Sequence, residues 1–231
     1  MFMNAPRNDG ARAILDRTRV VQWPVNAREN RRVLLASRSA RRRELLARAG
    51  IEHLAEHPGV DDSALEHAGV APERWVAALA YLKARAGMEV FRPMLRSGDI
   101  VLGADTTCVM NGRVFGTARD AAEAREMIRA FSGGVHEVLT GVALVDAATG
   151  ERRLFTDRAV VRVGRLGDDA IDEYIATGDW AGKAGAYNLE ERVNAGWPIE
   201  VAGDPTTVVG LPMRLLDRAL DRRARAAQTH P

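Results

Sequence analysis

The run Ile100-Val101-Leu102-Gly103-Ala104-Asp105-Thr106-Thr107 constrains this chain more than any other stretch. An unbroken apolar segment, a pair of small residues and then a carboxylate describe a buried strand that delivers one charged group to a cleft. Leaving that carboxylate unmatched away from water would cost on the order of several kcal/mol. An Asp in this place therefore implies a cation or a metal ion to meet it. The strand runs on to Met110, and Asn111-Gly112 then precedes Arg113-Val114-Phe115. Asn-Gly favours a type I′ hairpin, because both central residues take positive φ.

The rest of the chain alternates between helical and extended patterns. Val33-Leu34-Leu35-Ala36 reads as a buried strand, residues 37–40 as a loop, and 41–49 as a helix stopped by Gly50. Residues 51–60 read as extended, with Asp61-Asp62 after them. Residues 72–86 form an amphipathic helix whose expected buried stripe is Trp75, Leu79, Leu82 and Ala86, with Lys83 at its edge. Asp120 caps a helix over 121–131, with Glu123 completing a capping-box-like pair. Residues 135–145 and 153–163 are long strands, 168–177 a helix ended by Gly178, and 193–201 a strand. Residues 203–212 form a turn, and Pro212 opens a final helix ending near residue 225. Helical connections mixed with hairpins predict an α/β fold with α+β character: a mixed, curved sheet with flanking helices, in two lobes around a cleft.

Composition sets the outer bounds. The chain has 231 residues, 46% of them hydrophobic and 28% charged, as in ordinary globular domains. No apolar run approaches the roughly 20 residues needed to span a bilayer, so no membrane is expected as a partner. The single cysteine, Cys108, excludes an internal disulfide and fits a reducing cytoplasm. Residues 1–32 hold seven Arg against three acidic residues, and residues 214–225 five Arg against two Asp. No aromatic residues interleave with the final basic run. Both runs read as solvated faces or tails, and nucleic acid is not an expected partner. Residues 1–31 are expected to be a basic extension, 32–226 the folded domain, and 227–231 a tail.

Three segments carry candidate chemistry. Ser37-Arg38-Ser39-Ala40-Arg41-Arg42 places two hydroxyls and guanidiniums at a helix N-terminus, where unpaired N–H groups favour an anion. Arg grips phosphate oxygens bidentately. Asp105, with Asp61 and Asp62, offers carboxylate oxygens of the kind that hold Mg²⁺ beside substrate phosphates. Lys183-Ala184-Gly185-Ala186-Tyr187 puts small residues beside a lysine and an aromatic ring, with Glu190 nearby to accept hydrogen bonds from a base. Lys83 and Lys183 are compact cations in a chain that otherwise uses Arg. Each segment also has a plain structural account: a Ser cap, a strand-end Asp, a packed turn, a snorkelling Lys. Together the segments predict a phosphorylated substrate. His136 reads as a structural histidine.

In this order the segments resemble the Maf family of nucleotide pyrophosphatases. Its L-A-S-x-S-P-R-R-x-E-L-L pattern is similar to Leu35-Ala36-Ser37-Arg38-Ser39-Ala40-Arg41-Arg42-Arg43-Glu44-Leu45-Leu46. Its G-A-D-T pattern matches Gly103-Ala104-Asp105-Thr106, and its S-G-x-x-H-x-V-x-T-G-V pattern matches residues 132–142. K-A-G-A-Y stands at 183–187 and V-V-G-L-P at 208–212. The resemblance covers residues 33–220. It implies hydrolysis of a nucleoside triphosphate to monophosphate and pyrophosphate with a divalent cation, Mg²⁺ or Mn²⁺, and a homodimer. By the same resemblance Asp105 is the catalytic base. The resemblance also places Asp62 and Lys83 in the site and Arg41, Thr106 and the position of Glu190 at the nucleotide base. With the residue chemistry above, Asp62 and Asp105 are the expected metal-binding acids, and Ser37, Ser39, Arg41, Arg42, Lys83, Thr106, Lys183 and Glu190 the expected substrate contacts.

The chain departs from the family pattern at three positions. Thr117 stands where the family has lysine, Asp62 where Glu is common, and Glu190 where the dTTP/UTP branch has Gln. Arg41 and Thr106 match that branch, whereas the 7-methyl-GTP branch carries Glu at the position of Glu190. A carboxylate accepts from purine N–H groups but cannot donate to a pyrimidine carbonyl as an amide does. Base preference thus stays open, with an inosine or xanthosine triphosphate pyrophosphatase as one alternative. Another is a nucleotide-binding regulator of septum formation impaired in catalysis by Thr117. Asp105 is read either as orienting the attacking water or as holding the metal.

Overall fold

The computed structural model describes residues 32–61, 65, 67 and 69–220. The extension at 1–31, Asp62 and the chain from 221 onward, including the tail at 227–231, lie outside the described residues. Seven strands form one mixed sheet: β1 (Val33–Ala36), β2 (His53–Glu56), β3 (Ile100–Met110), β4 (Arg113–Phe115), β5 (Val135–Asp146), β6 (Arg152–Val163) and β7 (Ile199–Ala202). Their order is β2-β1-β3-β5-β6-β7, with β4 paired to β3. β1 runs parallel to β2 and β3, and every other pair is antiparallel. The parallel pairs need crossovers, supplied by α1 (Ala40–Arg48) and α2 (Pro72–Phe91). The β3–β4 hairpin turns through Asn111 at φ 50° and Gly112 at φ 76°, the two positive values the Asn-Gly pair predicts.

α2 lies against the middle of the sheet, and its buried face differs from the expected one. Val76, Ala77, Leu79, Ala80, Ala84, Gly87 and Phe91 are buried, while Leu82 is 44% exposed. Of the expected stripe only Leu79 is fully inside; Trp75 and Ala86 are half-buried. The helix also continues beyond residue 86 to Phe91. The cause is close approach. A Cβ on Gly103 would stand 2.1 Å from the Ala80 carbonyl oxygen, and one on Gly141 would stand 2.4 Å from that of Val76. Helix backbone rests directly on sheet glycines, so small residues, not the largest apolar ones, mark the packed face.

Local capping sets the other boundaries. α3 (Ala121–Phe131) starts where the Asp120 carboxylate accepts from the Glu123 N–H at 2.8 Å. Glu123 in turn accepts from the Arg119 N–H at 2.8 Å. α4 (Asp168–Thr177) ends at Gly178 with φ 74°. The expected strand at 193–201 is instead α5 (Leu189–Asn194), a turn, and β7. Asn188 caps α5 by accepting from the Glu191 N–H at 3.1 Å, which overrides the strand preference of Val193. The expected turn at 203–212 contains a short helix, α6 (Pro205–Val209), capped by Asp204 and stopped by Gly210 at φ 118°. The last described helix, α7 (Met213–Ala219), opens after Pro212; residue 225, near which its end is expected, lies outside the described residues.

The core has three parts. Leu34, Ala36, Val101, Ala143 and Val145 meet α2 on one face of the sheet. Val33, Leu35, Leu102, Val142 and Leu144 meet Leu45, Leu46, Leu211 and Leu216 on the other. Farther along the long strands, Cys108, Val138 and Val161 pack with α3, α4 and Tyr187. No helix among the described residues is long and apolar enough to cross a membrane.

Candidate active site

β1 ends at Ala36, and the chain turns through 37–39 into α1. Ser39 caps this helix, its Oγ accepting from the Arg42 N–H at 3.3 Å. Ser37 Oγ accepts from the Ser39 N–H at 3.2 Å and from Arg42 Nη1 at 3.2 Å. The Arg42 guanidinium also donates through Nε to the Gly210 carbonyl at 2.8 Å and through Nη2 to Thr106 Oγ1 at 3.1 Å. It is therefore held in one plane by groups from three parts of the chain. Arg41 reaches the Gly182 carbonyl at 3.4 Å. Burial pushes the Arg41 guanidinium below its ordinary value, opposed by the nearby Glu191. A desolvated cation of this kind favours an anionic ligand.

Asp105 sits in β3 opposite Gly141 of β5. Lys83 of α2 brings its ammonium to within 2.6 Å of the carboxylate. The cation demanded by a carboxylate at the end of that apolar run is this lysine. Opposite them, residues 182–188 form a tight loop. Ala184 bridges to Thr117, and the Gly185 N–H donates to the Gly116 carbonyl at 2.9 Å. Ala186 is held at φ 62°, a left-handed conformation unusual for an L-residue, and is fully buried. Its carbonyl accepts from the Tyr174 hydroxyl at 2.9 Å.

These elements enclose a cavity of about 790 Å³, within the usual range for small-molecule sites. Ser37, Ser39, Arg41, Arg42, Lys83, Asp105 and Thr106 all line it. Lys183 and Glu190 do not: Lys183 pairs with Glu191, and Glu190 binds Arg48 at 3.0 Å on the outside of α1. Asp62 lies outside the described residues, but Asp61 lines the cavity. Arg38, His57, Thr117 and Asn188 also line it and were not among the candidates for substrate contact. Arg38 was legible as part of the serine–arginine loop. Nothing in the extended pattern of 51–60 marked His57.

Tyr187 walls the cavity from below and donates to or accepts from His136 Nε2 at 2.9 Å. His136 is 1% exposed and stacked on Phe131. Burial pushes its imidazole from 6.5 down to about 4. The unfolded chain thus takes up a proton near pH 6.5 that the folded one refuses until about pH 4. Folding stability should fall as pH drops through that window, by about 3 kcal/mol in all for this one group. Urea midpoints between pH 7 and 4 should show a shallower slope in His136→Gln; an unchanged slope contradicts this.

A β-strand feeding a serine-capped, arginine-bearing helix, an acid met by a lysine, and a glycine-rich loop opposite line one cavity of an α/β protein, with a cationic wall suited to a polyanion. Residues 32–223 match the family model for Maf-like proteins. Proteins described as dTTP/UTP pyrophosphatase are 38% identical in Nitrosospira multiformis over 190 residues (79% of this chain, 89% of that protein) and 43% identical in Symbiobacterium thermophilum over 182 residues (78% and 88%). One from Moorella thermoacetica is 40% identical over 189 residues, covering 82% of this chain and 93% of that protein. The chain belongs to the Maf-like protein family.

Proposed function

We propose that this protein hydrolyses dTTP and UTP to the nucleoside monophosphate and pyrophosphate. Nucleoside triphosphate pyrophosphatase activity, hydrolysis of an acid anhydride, is the reading its relatives support. The observation carrying the pyrimidine preference is the placement of its markers. Arg41 and Thr106 line the cavity, whereas the Glu190 carboxylate is taken up by Arg48 outside it.

The chemistry follows from the lining. Arg38, Arg41, Arg42 and the N-terminus of α1 draw in the polyphosphate, with Arg42 fixed by three hydrogen bonds before substrate arrives. Lys83 exchanges its contact with Asp105 for a phosphate oxygen. Asp105 then accepts a proton from water as the water oxygen bonds to the α-phosphorus. The bond from that phosphorus to the bridging oxygen breaks, and pyrophosphate leaves with the electron pair. Asp61 and Asp105 supply hard oxygen donors at one cavity, and Mg²⁺ needs only one or two carboxylates beside waters and substrate oxygens. Such a cation, held by these carboxylates with waters and substrate oxygens, would neutralise charge on the phosphates; no group of three or more ligating side chains gathers among the described residues.

The test is pyrophosphate release from dTTP, UTP, 7-methyl-GTP, ITP, XTP and the common nucleotides, with Mg²⁺ or Mn²⁺, for the natural protein and Glu190→Gln. The expected kcat/KM is highest for dTTP and UTP, and Glu190→Gln should alter it by less than about threefold, an exposed-site effect. Preference for a purine, or a switch of base on Glu190→Gln, contradicts the assignment. Binding without release from any nucleotide would favour a regulator, with Thr117 in the lining as the missing cation.

A further inference from the structure

We propose that Thr140 is a positioning residue for Arg42, acting through Thr106; the proposal rests on the nucleotide reading of the cavity. Thr140 lies on β5, is fully buried and is not part of the cavity lining. Its hydroxyl stands 2.8 Å from the Thr207 carbonyl, which can only accept. The one Thr140 proton is committed there, so its oxygen must accept from the Thr106 hydroxyl at 2.9 Å. Thr106 has then used its own proton and faces Arg42 Nη2, 3.1 Å away, as an acceptor. Arginine cannot accept and a carbonyl cannot donate, so the direction Arg42 to Thr106 to Thr140 to Thr207 is fixed at both ends.

The far end is anchored. The Thr207 hydroxyl donates to Asp157 of β6, and α6, which carries Thr207, ends at Gly210, whose carbonyl holds Arg42 Nε at 2.8 Å. Thr140 therefore bears on two of the contacts that hold the guanidinium plane. Without the Thr140 hydroxyl, the Thr106 proton loses the acceptor that fixes its direction, and the Thr106 oxygen is no longer held facing Arg42. The Thr207 carbonyl keeps the Gly210 N–H at 3.2 Å, so the loss leaves no orphaned acceptor there.

The experiment compares Thr140→Val, Thr140→Ala and Thr140→Ser with the natural protein in two readouts. One is steady-state hydrolysis of dTTP; the other is calorimetric affinity for inorganic tripolyphosphate. Arg42 binds phosphate in ground and transition states alike, so both hydroxyl-less variants should raise KM about tenfold with kcat within about twofold. Tripolyphosphate affinity should weaken by a similar factor, and Thr140→Ser should restore both. Alanine is included because the second methyl of valine would press on the Thr207 carbonyl. Unchanged KM and tripolyphosphate affinity, or a fall in kcat alone, overturns the proposal. So does failure of both hydroxyl-less variants to fold while Thr140→Ser behaves as the natural protein, since that confines Thr140 to folding. If the natural protein binds tripolyphosphate but hydrolyses no nucleotide, the function assignment falls. The tripolyphosphate comparison then still decides the role of Thr140.

Discussion

Asp105→Asn is expected to cut pyrophosphate release by about 10³-fold while leaving the protein folded, the range for loss of a positioned general base. The amide keeps the shape of the carboxylate but cannot take a proton from water, and it no longer balances Lys83 at 2.6 Å. The fold should tolerate the change because Asp105 and Lys83 face the cavity, where water can reach the lysine. Thermal melting within a few degrees of the natural protein, together with lost turnover, is the expected pair of readings. Turnover within about tenfold of normal would remove Asp105 from the chemistry.

Gly141→Ala is expected to be, with Gly103→Ala, among the most damaging single methyl additions in the sheet. Its Cβ would stand 2.4 Å from Val76 C and O and 2.6 Å from the Ala77 nitrogen. These are backbone atoms in the second turn of a 20-residue helix, so relief requires α2 to lift from the sheet, with Lys83 attached. Overpacking of this kind costs about 1–3 kcal/mol or more. In a chain of this size that corresponds to a fall in Tm of about 2–12 °C. Because α2 carries Lys83, activity at low temperature should drop as well. A Tm matching that of the natural protein would show that the helix does not rest on Gly141.

The two central features of the site were legible for different reasons. Asp105 stood out because burial of an acid after an apolar run demands a partner, and Lys83 proved to be that partner. The serine–arginine loop was legible because capping and phosphate binding use the same residue types, and Ser39 does cap α1. The hairpin at Asn111-Gly112 and the ends of α3 and α4 rest on local chemistry and lie where that chemistry puts them. The face of α2 was misread because periodicity weighs large apolar residues. The packed face is set by glycines on the two paired strands beneath the helix, Gly103 of β3 and Gly141 of β5. Glu190 and Lys183 looked like ligands by their place in a motif. Whether their charges face the cavity depends on Arg48 and Glu191, whose proximity to them only the three-dimensional structure reveals. The threonine relay was illegible for the same reason: Thr106 and Thr140 stand in recognisable segments, but only folding sets their hydroxyls in line with the Thr207 carbonyl.

The measurement that bears most directly on the account is hydrolysis of dTTP in heavy-oxygen water, with the products resolved by mass spectrometry. Attack of water at the α-phosphorus, prepared by Asp105, puts the label into dTMP and leaves the pyrophosphate unlabelled. Label in pyrophosphate, or formation of dTDP and phosphate instead, would contradict it.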